Sequence, residues 1–112
     1  SNEEVTATGN FLYVNGTIGA TAFYESSDIR FKNVLETNPT ISALGIDVIK
    51  FTRKGQSQVR YGYSAQQVKS IIPDAVFGYD ELTVNYSDVH TLKIASLEKR
   101  VEELELRLKS TI

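Results

Sequence analysis

Ile94-Ala95-Ser96-Leu97-Glu98-Lys99-Arg100-Val101-Glu102-Glu103-Leu104-Glu105-Leu106-Arg107-Leu108 is the most regular stretch of this 112-residue chain. Its apolar residues Ile94, Leu97, Val101, Leu104 and Leu108 recur at alternating spacings of three and four, the seam of a coiled-coil helix. With Ile94 at position a, Lys93 and Arg100 fall at g while Glu98 and Glu105 fall at e. Each base then meets an acid five positions on in a parallel neighbour. The seam covers little more than two heptads, too little to hold a helix alone in water, so association is expected to involve the rest of the chain. A parallel trimeric coiled coil is expected over about residues 88–109, capped by Asp88. Val at a and Leu at d do not alone exclude a dimer, and an amphipathic helix folded back on its own domain is the alternative.

Upstream of the helix the pattern is that of a small α+β body. Asp47-Val48-Ile49-Lys50-Phe51-Thr52 and Gln58-Val59-Arg60-Tyr61-Gly62-Tyr63 flank the basic loop Arg53-Lys54-Gly55-Gln56-Ser57 and predict a hairpin. Ser64 stands as an N-cap with Gln67 in capping-box position, and Ala65, Val68, Ile71 and Ile72 make one apolar helical face that Pro73 ends. Ala75-Val76-Phe77 and Leu82-Thr83-Val84-Asn85-Tyr86 predict a second hairpin around Gly78-Tyr79-Asp80-Glu81. Thr40 to Leu44 is expected as a short helix ended by Gly45, after Asn38-Pro39 has broken whatever precedes it.

Nearer the start, residues 11–24 are two β-branched and aromatic runs around Asn15-Gly16, a hairpin signal. Two strands are marginal alone, so they are expected to pack on identical copies or to continue a β-rich body further upstream. From Asp28 the pattern becomes an extended lead-in followed by a short helical turn. That segment, Ser27-Asp28-Ile29-Arg30-Phe31-Lys32, carries the candidate chemistry. A lysine kept neutral by burial can act as base toward a serine hydroxyl, so the pair can cut its own chain.

Bulk properties narrow the function classes. Hydrophobic residues make up 41% and charged residues 23%, a globular mixture. The net charge of −2 supplies no positive surplus for nonspecific nucleic-acid binding. The absence of cysteine removes disulfides, thiol nucleophiles and thiolate metal sites. No apolar run approaches the ~18 residues of a membrane helix, and Ser1-Asn2-Glu3-Glu4 lacks the order of a signal peptide, so the chain is expected to be a piece of something longer. No phosphate cradle or metal-ligand cluster stands out, and no cofactor is expected.

Three segments together resemble a known family, the self-cleaving C-terminal intramolecular chaperone of phage tail spikes and fibres, of endosialidase type and found also in the myelin regulatory factor. Ser27-Asp28-Ile29-Arg30-Phe31-Lys32 is similar to the family's Ser-Asp-x-Arg-x-Lys cleavage motif. Gly62-Tyr63-Ser64-Ala65-Gln66-Gln67-Val68, running to Ile72-Pro73-Asp74-Ala75-Val76, resembles its helix that ends in proline. Val84-Asn85-Tyr86-Ser87-Asp88-Val89-His90-Thr91-Leu92, leading to Ile94-Ala95, resembles its approach to the terminal helix. The likeness spans residues 22–109 and departs in the basic loop and at Ser64.

The resemblance implies a homotrimer that helps an upstream viral fibre or spike to fold in the host cytoplasm. It implies release by a cut between Ser26 and Ser27, with Ser27 as nucleophile and Lys32 as base. Residues 1–26 would stay with the fibre and residues 27–112 would leave. Asp28 and Arg30 are expected in supporting roles, orienting the strand or pairing with each other or with a neighbouring chain. Ser26 is a rival nucleophile that does not fit the motif spacing. A non-cleaving trimerisation module of the same fold is the alternative, and a membrane-bound transcription factor released by the same reaction is a third. His90, at position d, is expected as a polar layer of the bundle. Gln66 is expected in packing or in a helix-start hydrogen bond, and Phe51, Tyr61, Tyr63 and Phe77 in core or subunit contacts.

Overall fold

A computed structural model describes residues 12–111 and divides the chain into two compact units, Ser1–Leu35 and Glu36–Ile112. The second is a small α+β body. Its elements are β1 (Ile49–Thr52), β2 (Val59–Gly62), α1 (Ala65–Ile71), β3 (Val76–Phe77), β4 (Thr83–Val84) and the 25-residue α2 (Tyr86–Ser110).

Both sheets are two-stranded and antiparallel. In the first, Ile49 faces Gly62 and Thr52 faces Val59, so the basic loop joins the strands where glycine and polar residues allow a reversal. Gly55 takes φ +80°, a conformation that favours glycine there. In the second, Val76 faces Val84 and Phe77 faces Thr83. These strands are shorter than expected because Ala75 belongs to the 3-10 turn Pro73–Ala75 and Tyr86 belongs to α2.

α1 begins as its sequence predicts, with the Ser64 hydroxyl accepting from the Gln67 amide at 3.3 Å. The reciprocal half of a capping box is absent, because the Gln67 side chain is used elsewhere. Its Oε1 accepts from the Asp47 amide at 2.8 Å, and its Nε2 donates to Asp47 Oδ2 at 3.0 Å and to the Gly45 carbonyl at 3.4 Å. α2 is capped by Asn85, whose Oδ1 accepts from the Asp88 amide at 3.3 Å. Asp88 is therefore in the first turn of the helix and is not its cap. Only the first oxygen-bearing side chain before the helix can reach the free amides.

The core consists of Ala43, Ile46, Val68, Ile72, Ala75 and Val89, with Tyr63, Ile71, Val76, Val84 and Leu92 packed around it. Thr40 to Leu44 supplies one core residue, Ala43, as a loop with a turn at Leu44-Gly45, and not as the expected helix. The Ala43 amide donates to Ser96 Oγ of α2 at 3.0 Å, and the Ile46 carbonyl accepts from Lys93 Nζ at 2.6 Å. Backbone groups satisfied from α2 have no need of a helix of their own. Upstream of Pro39, Asn38 sits at φ +54°, in the left-handed region that asparagine tolerates better than most residues.

The first unit departs from expectation. Residues 12–28 hold neither strand nor helix, and among the described residues its one regular element is the 3-10 turn Ile29–Phe31. Two short strands gain too little from each other to persist without further partners, which accounts for the missing hairpin. Phe11, the first residue of that hairpin, and residues 1–10 of the β segment expected over 1–26 lie outside the described part.

Candidate active site

The turn at Ile29–Phe31 is built by the residue that precedes it. Asp28 is extended, at φ −66° and ψ 123°, and its Oδ1 accepts from the Arg30 amide at 3.0 Å. Backbone bonds from Phe31 N to the Asp28 carbonyl at 3.1 Å and from Lys32 N to the Ile29 carbonyl at 3.2 Å complete the reversal. The chain then leaves extended at Lys32, with φ −116° and ψ 142°.

This geometry brings the two residues of the expected dyad together. Lys32 Nζ lies 2.6 Å from Ser27 Oγ and donates to it. A neutral amine at the same place would accept the serine proton along the same line, which is the distance a general base requires. Both residues are exposed in the single chain, so the burial expected to keep the lysine neutral is not supplied within one copy. Ser26 is exposed as well.

Of the options open to Asp28 and Arg30, the structure has them pair with each other. Arg30 Nε donates to both carboxylate oxygens at 3.1 Å, and Nη2 donates to Oδ2 at 2.6 Å. This fork favours both charged forms. The side-chain bonds to Arg30, and then the bond from its amide, hold the Asp28 carboxyl below the usual carboxylate range; the side-chain bonds also raise the Arg30 guanidinium.

The seam residues of α2 are all on the surface: Ile94, Leu97, Val101, Leu104 and Leu108 are 43–66% exposed. Ile94, Leu97 and Val101 line an open groove of about 420 Å³ beside Glu98, Glu102 and Glu105. The residues that fix α2 to the body, Val89, Leu92, Lys93 and Ser96, lie about a third of a turn away round the helix, so packing on the body leaves the seam uncovered. Folding back on its own domain thus accounts for one face of the helix, and only near its start. Lys93, expected to face Glu98 of a neighbour, is engaged at home, bonded to the Ile46 carbonyl with its ammonium 5.6 Å from the Tyr63 ring centroid. Arg100 lies 3.7 Å from Glu103 of its own helix, an exposed pair of little strength.

The remaining expectations divide. His90 is exposed and packs edge-on against Tyr63 and Tyr86, with ring centroids 5.6 Å and 6.1 Å away. Gln66 is exposed and meets the Ser64 hydroxyl at 3.5 Å, so it belongs to the helix start and not to the core. Tyr63 packs against the core, whereas Tyr61 and Phe77 are exposed and Phe51 is half-buried. Among the described residues no group of three or more His, Asp or Glu side chains is placed to hold a metal ion, and no helix is long and apolar enough to cross a membrane. The structural roles of Gln67, Tyr86, Lys93 and Ser96 have no local sequence signal, because their partners lie 20 to 53 residues away.

Neither a protein-family model nor a curated protein sequence matches the chain.

Proposed function

We propose that this chain is an intramolecular chaperone that trimerises through α2, assists the folding of an upstream fibre or spike domain, and then releases itself by cutting between Ser26 and Ser27. The observation that supports this most directly is the 2.6 Å separation of Lys32 Nζ and Ser27 Oγ. The exposed apolar seam on α2 supports the assembly half of the reading. The resemblance of the three motifs supplies the viral setting: a tail-fibre precursor assembled in the host cytoplasm, binding neither nucleic acid nor membrane and using no cofactor.

In this reading Ser27 Oγ attacks the carbonyl carbon of Ser26 while Lys32 takes the hydroxyl proton. The tetrahedral adduct collapses with cleavage of the C–N bond, the Ser27 nitrogen gains a proton, and the acyl group rests on oxygen as an ester. Water then hydrolyses the ester, leaving a carboxylate on Ser26 and the restored hydroxyl on Ser27. A well-placed base contributes about 10²–10⁴-fold, and only if it is neutral. Exposure of Lys32 in one copy ties the reaction to assembly: neighbouring copies must supply the apolar cover.

The same exposure favours a second reading, a trimerisation module of this fold that does not cut. Intact-mass analysis of the wild-type chain beside Ser27→Ala and Lys32→Ala decides between them. Self-cleavage gives a wild-type fragment beginning at Ser27 and leaves both variants whole. A wild-type trimer that stays whole leaves only the module.

A further inference from the structure

In a fully extended chain Ser27 and Lys32 would stand roughly 17 Å apart, at about 3.3–3.4 Å per residue. Their contact therefore depends wholly on the intervening turn. That turn is three residues long, holds no buried residue, and belongs to a helix type with poor intrinsic hydrogen-bond geometry. No core packing within it keeps it closed. Besides its two backbone bonds, what closes it is concentrated on one side chain. The Asp28 carboxylate caps the turn through the Arg30 amide at 3.0 Å and grips the Arg30 guanidinium from two nitrogens. The guanidinium carbon in turn lies 5.6 Å from the Phe31 ring centroid, so the clamp reaches the last residue before Lys32.

We propose that Asp28 is a positioning residue of the dyad: by capping the Ile29–Phe31 turn and clamping Arg30, its carboxylate sets the Lys32 amine on the Ser27 hydroxyl. Asp28 touches neither reacting atom. Its contribution is geometric, and displacing a reacting group by about 1 Å can cost on the order of 10²-fold in rate. Arg30 is the second half of the device. Lysine cannot replace it, because an ammonium does not reproduce the two-pronged grip.

The cleavage readout rests on the self-cutting reading above, so the test has two arms. In the first, appearance of the Ser27 fragment is followed against pH for trimers of wild type, Asp28→Ala, Asp28→Asn and Arg30→Lys. Asp28→Ala is expected to slow cleavage about 10–100-fold by the same misplacement argument, with the midpoint of the pH profile unmoved. Asp28→Asn keeps an oxygen for the Arg30 amide but loses the charged fork, and it falls between the two, as does Arg30→Lys. A wild-type rate for Asp28→Ala overturns the proposal. So does a shifted midpoint, which would mean that the carboxylate acts on the charge of Lys32 and not on its place.

The second arm needs no cleavage. Because the chain has no cysteine, Ser27→Cys introduces a single thiol, and o-phthalaldehyde joins a thiol and an adjacent primary amine into a fluorescent isoindole with loss of two waters. The product is expected with Lys32 present, absent with Lys32→Ala, and formed several-fold more slowly once Asp28→Ala is added. Equal rates with and without Asp28 overturn the proposal. If wild type never cuts, the peptidase reading falls, and this arm alone decides the role of Asp28.

Discussion

The two units of the chain are held by opposite kinds of bond. In the turn that carries the dyad every side-chain hydrogen bond spans two to five residues, and no side chain is buried. In the body the side-chain bonds that matter reach from loop to helix: Asp47 to Gln67, Ile46 to Lys93, Ala43 to Ser96. The first arrangement can form as soon as its few residues exist, whereas the second requires the fold. Under the proposed function the difference is a division of labour: the reactive pair is prepared locally and its activation waits for assembly.

The sharpest way to break that comparison is to mix copies. Because both dyad residues lie on one chain, trimers formed from Ser27→Ala and Lys32→Ala copies together are expected to show no cleavage on intact-mass analysis. Any Ser27 fragment from the mixture would show that the amine is delivered by a neighbour.

Next in size is loss of the body. Val68 is fully buried, and with Val89 it is the largest side chain that is. Val68→Asp places an unpaired carboxylate in a core this small, at several kcal/mol, and should abolish the cooperative thermal transition seen by circular dichroism. With Ser27→Cys added, the dyad turn should keep its isoindole reaction in this variant, and losing it would tie the two units together. Leu97→Asp acts on the exposed seam, so it should dissolve the proposed trimer in sedimentation while leaving the monomer folded; a trimer unchanged by it removes α2 from the interface.

Smaller effects refine the picture. Ser64→Ala removes the cap of α1 and should cost about 1 kcal/mol in denaturant unfolding of the body, without effect on the dyad. The smallest is a titration. The Asp28 carboxyl is held below its ordinary value of 3.8 by Arg30, so its grip on the turn is present above that pH and is lost as pH falls through the lower, folded-state value. The carbon-13 carboxyl shift of Asp28 should titrate at higher pH in Arg30→Ala; coincident curves would mean the fork is not kept in solution.

Much of this architecture was legible where the determinants are local. α2 announces itself by heptad spacing, the β1–β2 hairpin by apolar runs about a basic loop, and Ser64 by its position before an apolar face. The approach of Lys32 to Ser27 is local too, and the motif carries it. The errors fall where a distant group outcompetes a nearby one. Thr40 to Leu44 looks helical until Ser96 takes the Ala43 amide, and Gln67 looks like half of a capping box until Asp47 arrives from 20 residues away. The strand signals in 12–24 describe residues that suit a sheet, but among the described residues no strand pairs with them.

Gly62 closes β2 with its backbone beneath the phenol of Tyr86, whose hydroxyl accepts from the Tyr63 amide at 3.0 Å. A β-carbon at 62 would overlap that hydroxyl and stand 2.9 Å from two ring carbons, closer than such atoms come. The hairpin and the long helix are therefore joined like a peg and its socket, and the two positions should change together over evolution. A side chain at 62 requires the Tyr86 ring to swing away from the Tyr63 amide, and that loosens the bolt between sheet and helix.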